Sequence, residues 1–127
     1  MNTITSSRSK YELNEAGIIV QEAMNDKYLD LDMAKEEVAT FVKLAAGKKR
    51  TLLVISNQNK GMSREARKYY ISDFLANHTT AVALCTNSKL MKMIGSFFLG
   101  FHKPPYPFKI FDDKEVALEW LKGYVER

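Results

Sequence analysis

The sequence predicts a single α/β domain with the element order ββαβαβαβα, a mixed, mostly parallel five-stranded sheet and four helices. Two observations carry that expectation. Thr51 to Ile55 (TLLVI) and Thr80 to Thr86 (TAVALCT) are runs of apolar and β-branched residues, the pattern of strands covered on both faces in a parallel sheet. Each is followed by a polar turn and a segment with apolar residues at helical spacing, which is the make-up of a βα unit. With 127 residues and 46% apolar content, the chain has the size of one domain and can bury a core without metal or disulfide support.

Taken in order, residues 1–7 (MNTITSS) are polar and predict a disordered terminus, with the folded domain running over 8–127. Ser9 to Leu13, the turn Asn14-Glu15-Ala16-Gly17, and Ile18 to Ala23 predict an opening hairpin in which Gly17 supplies a positive φ. Asp32 is placed to cap a helix whose inward positions are Ala34, Val38, Phe41, Val42 and Ala45, ended by Gly47. Lys48, Lys49 and Arg50 follow at the negative end of its dipole. After the central strand, Asn57, Asn59 and Gly61 make a turn, and Ser63 caps a helix from Arg64 to Asn77 with Ala66, Tyr69, Tyr70, Phe74 and Leu75 inward. The strand Thr80 to Thr86 leads through Asn87-Ser88 into a helix from Lys89 to about His102. Pro104-Pro105-Tyr106-Pro107 forbids continuation of that helix, and Phe108 to Phe111 is a short edge strand. Asp112 to Glu115 starts a last helix with Val116, Ala117, Trp120, Leu121 and Tyr124 inward.

The charge is uneven. Residues 1–50 are neutral, 51–109 hold eight Lys/Arg against two Asp/Glu for a net of +6, and 110–127 carry a net of −2. Excess positive charge on the middle of the chain can steer an anionic partner, but the lack of a recognition motif argues against a nucleic-acid binder. Cys85 is the only cysteine, set in the apolar run AVALC; it reads as a core residue and points to a reducing cytoplasm. The longest apolar stretch, Leu90 to Phe101, is too short to span a bilayer. Catalysis finds little support: His78 and His102 have no nucleophile beside them, and no close set of His, Cys and Asp suggests a metal. The loop SNQNKGMS lacks the spacing of a nucleotide-binding glycine loop, so no cofactor is expected.

The phrase FFLGFHKPPYPFKIFDDKEVALEWL at 97–121, the LLVIS strand with its polar turn and the order of elements resemble the small bacterial proteins of the SpoIIAA-like, STAS/Sec14-like fold, over about Arg8 to Val125. The resemblance implies a regulatory or protein-interaction module. In the better-known relatives, a phosphorylatable serine of an Asp-Ser-Ser-Gly-like motif opens the helix after the central strand. SNQNKGMS stands in that place without an Asp-Ser pair, and Ser56 and Ser63 match by location.

The strand ends of open α/β sheets are where ligands gather. The candidate binding surface therefore joins the loop after the central strand (Ser56, Asn57, Lys60, Ser63, Arg64), the next strand's end (Thr86, Asn87) and the apolar helix (Met91, Phe98). That helix is apolar around most of its circumference, which suits a homodimer or protein partner, or alternatively a small apolar or lipid ligand for which it forms a pocket wall.

Overall fold

The computed structural model describes residues 2–25, 27–57, 60–100 and 103–125, the side chains of 97–100 excepted. Its strands β1 (Thr3–Thr5), β2 (Ser9–Leu13), β3 (Ile18–Ala23), β4 (Arg50–Ile55), β5 (Thr79–Cys85) and β6 (Phe108–Phe111) form one sheet in the order of the sequence. The helical segments are α1 (Leu31–Ala45), α2 (Arg64–Tyr70), α3 (Asp73–Ala76), α4 (Lys89–Gly100) and α5 (Lys114–Lys122). The α/β class and the mixed sheet are as expected. The sheet has six strands rather than five, because Thr3–Thr5 leaves the expected disordered terminus and pairs antiparallel with Lys10–Glu12. Three residues are too few for alternation to register, yet Ile4 lies against the core and its neighbours are β-branched.

From β3 onward every pairing is parallel and every strand neighbours its successor. Right-handed crossovers between such strands must all pass over the same side of the sheet. They do so: α1, α3 and α4 pack with Ile19, Leu52, Val82 and Leu84 on one face. Only α5, which follows the last strand, is free to close the other face, against Ile18, Leu53, Ala81 and Ala83.

Two helix boundaries differ from expectation, each for a local reason. Asp30, not Asp32, caps α1, its side chain accepting from Met33 N at 2.9 Å. Leu29 is held extended by pairing with the 61–63 loop (Leu29 N to Gly61 O 3.0 Å, Ser63 N to Leu29 O 2.9 Å), so the helix can begin immediately after it. The single helix expected over Arg64 to Asn77 is broken at Ile71-Ser72. There the Ser72 hydroxyl donates to Tyr69 O at 2.6 Å, offering the backbone a turn in place of a helical bond. Gly61 has φ 88°, which lets this loop turn back onto Leu29. Among the described residues no helix is long and apolar enough to cross a membrane.

Candidate functional site

The loops at the carboxyl ends of β4 and β5 meet through one side chain. Asn57 Oδ1 accepts from Asn87 N at 2.6 Å and from Thr86 Oγ1 at 3.2 Å. Thr86 Oγ1 in turn accepts from Ser88 N at 3.0 Å, and Ser88 Oγ accepts from Met91 N at 3.2 Å at the start of α4. Ser63 Oγ caps α2 by accepting from Ala66 N at 3.0 Å. Of the expected surface, Asn57, Lys60, Arg64 and Asn87 are exposed, whereas Ser56, Thr86 and Met91 are buried. Leu90 is half-buried, Met91 and Ile94 are buried, and Met93 is 63% exposed. The side chain of Phe98, and with it that part of the expected surface, lies outside the described residues, as do Gln58, Asn59 and His102.

Ser56 and Met91 instead share the wall of an apolar cavity of about 80 Å³ between the sheet and the helices of the α1 face. Its walls are Val38 and Phe41 of α1, Leu52 and Val54 of β4, Val82 and Leu84 of β5, Phe108 of β6, and Met91 and Ile94 of α4. Gly95 lets α4 approach the sheet closely: a Cβ there would stand 2.6 Å from Ile110 Cδ1 and 3.3 Å from Leu84 Cδ2.

A polar group borders this apolar space, and the sequence reading did not find it. Arg8, Gln21 and Glu37 also line the cavity, and all three are buried. Glu37 carboxyl oxygens accept from Ser6 Oγ at 2.8 Å, from Gln21 Nε2 at 3.0 Å and from the Tyr11 hydroxyl. Arg8 is 3% exposed, and among the described residues its Nε and Nη2 have no hydrogen-bond partner. The signal was available. Glu37 falls three residues after Ala34 and four before Phe41, inside the apolar stripe of α1, and Gln21 follows Ile19 on the same face of β3.

Three tyrosines on this side, Tyr11, Tyr70 and Tyr106, hold their protons more tightly than usual. Burial raises the Tyr11 pKa, and the Glu37 charge and hydrogen bond raise it further. Burial likewise raises that of Tyr70, with Glu37 adding and Arg8 opposing, and burial raises that of Tyr106, whose hydroxyl donates to Tyr70 O at 2.8 Å. Burial also pushes the Cys85 thiol up, with Asp113 and Asp112 adding to the effect, so it is a packing residue rather than a nucleophile. Among the described residues no three His, Cys, Asp or Glu side chains are placed to hold a metal ion.

A solved structure with this architecture is that of an uncharacterised protein of the DUF3478 family with a SpoIIAA-like fold from Shewanella loihica PV-4. It superposes with a TM-score of 0.60 over 94% of this chain and 90% of its own, at 18% sequence identity, which establishes a shared fold. No curated protein matches the chain. Over residues 11–125 the sequence matches the model of a family described as a domain of unknown function, DUF7793, and the chain belongs to that family.

Proposed function

We propose that this domain works without catalysis, as a regulatory or interaction module that holds a small apolar molecule in the cavity beneath α1 and α4. The observation that supports this reading is the cavity itself. Protein interiors pack to crystal density, and a void forfeits the contacts its lining would otherwise make. An engineered apolar cavity of roughly 150 Å³ admits benzene. The space of about 80 Å³ here suits a shorter aliphatic group. The regulatory part is supported by a link to the exposed loops: Ser56 lines the cavity, and the adjacent Asn57 ties the exposed Asn87 loop to the end of β4.

The test uses the methionine methyl groups as reporters, with 1-propanol as the ligand. Met62 and Met91 line the cavity, whereas Met24 and Met93 are exposed. Saturable NMR shifts confined to Met62 and Met91 are expected. Shifts at all four, or at none, would contradict the reading. A second reading, contact with a protein partner or a second copy, is supported by Met93, exposed beside buried Met91 and Ile94 on α4. A dimer in native mass spectrometry that Met93→Lys converts to monomer is the expected result there, and a wild-type monomer would oppose it.

A further inference from the structure

We propose that Arg8 recognises a carboxylate, so that the molecule held in the cavity is a short-chain aliphatic monocarboxylate; this deepens the ligand-binding reading above and rests on it. The unpartnered atoms are Nε and Nη2. On a guanidinium, the Nε–H and the adjacent Nη2–H point the same way and form the fork that the two oxygens of a carboxylate accept together. Both donors are buried, and an arginine cannot shed its charge to escape the cost of burial.

Glu37, which also lines the cavity, does not fill that fork. Its oxygens are engaged by Ser6, Tyr11 and Gln21, and Arg8 Nε and Nη2 remain unpaired. Glu37 offsets the arginine charge from a distance while leaving the donors free. Its nearby negative charge also disfavours a head group with two charges, which narrows the ligand to a monoanion. The walls contributed by Leu52, Val54, Val82 and Leu84 offer a tail nothing but hydrocarbon, and the volume keeps that tail short.

The experiment is calorimetric titration of the full chain at pH 7 with propanoate and, separately, with 1-propanol, which has the same carbon chain and no charge. Propanoate is expected to bind at least tenfold more tightly, the scale of a charge-assisted bidentate contact. Arg8→Lys keeps the charge and removes the fork. It is expected to weaken propanoate about tenfold or more, with a native circular dichroism spectrum certifying the fold of the variant. Equal affinity of the wild type for the two ligands would overturn the carboxylate assignment while leaving the cavity reading intact, and that comparison needs no variant. Undiminished propanoate binding by Arg8→Lys would overturn the role of the fork. Failure of both ligands to bind the wild type would overturn the ligand-binding reading and this inference with it.

Discussion

The two faces of the sheet are made from alternate residues of the same strands, yet they are built to different standards. On the α5 face, Ile18, Leu53, Ala81, Ala83, Ala117 and Leu121 are each fully buried, and the cluster they form is apolar throughout. On the α1 face, of the next residues along, Leu52, Val82 and Leu84 border a void, and they and Ile19 share their side of the sheet with Arg8, Gln21 and Glu37. One layer closes the fold and the other leaves room in it. Stability concentrates where small and large apolar side chains interlock. The features that cost stability, buried charge and unfilled space, gather on the side that also reaches the loops after β4 and β5.

The largest expected effect tests the buried polar group. Glu37→Ala removes the acceptor of the Tyr11 hydroxyl and the Gln21 amide and the charge that offsets Arg8, so equilibrium denaturation is expected to show a loss of about 3–5 kcal/mol. A loss below about 1 kcal/mol would mean that the cluster is solvated. A paired truncation then compares the faces directly. Leu121→Ala on the closed face is expected to cost about 4 kcal/mol, and Met91→Ala beside the void about 2 kcal/mol, because part of the Met91 side chain already faces empty space. Equal costs would erase the distinction.

Enlarging residues should reverse the order of the faces. Ala83→Val overpacks the α5 side and is expected to cost about 2 kcal/mol, whereas Val82→Ile grows into the cavity and is expected to be neutral or to stabilise by up to about 1 kcal/mol. The smallest effect is alkaline. Tyr11, Tyr70 and Tyr106 keep their protons in the folded state, while in the unfolded chain they ionise near pH 10. Their contribution is complete below that pH and is lost as pH rises above it, by about 1.4 kcal/mol per pH unit for each tyrosine. Tyr106→Phe should therefore make the alkaline fall in stability shallower by about that slope, and an unchanged slope would show that its hydroxyl is not sequestered.

Much of this architecture was legible because its signals are periodic. TLLVI and TAVALCT announced β4 and β5, and the stripe Ala34, Val38, Phe41, Ala45 announced α1. What escaped was either too short or not periodic. The three residues of β1 gain their place from Lys10–Glu12, which no local pattern encodes. The break at Ser72 depends on one hydroxyl choosing Tyr69 O. The loops after β4 and β5, where binding was expected, do meet at two strand ends, but there Ser63 and Thr86 use their hydroxyls in capping and loop closure, and Ser56 and Met91 turn inward. The polar border of the cavity was missed because Arg8, Gln21 and Glu37 are far apart in sequence and each alone reads as a surface residue. Only their shared position on the apolar faces of β3 and α1 distinguishes Gln21 and Glu37.

The most direct test of the difference between the faces is a crystal of the wild-type protein under xenon pressure, since xenon enters apolar cavities and leaves close-packed cores empty. Xenon bounded by Phe41, Val82 and Ile94 on the α1 side is the expected result. Xenon between the sheet and α5, or no site on the α1 side, would contradict the account.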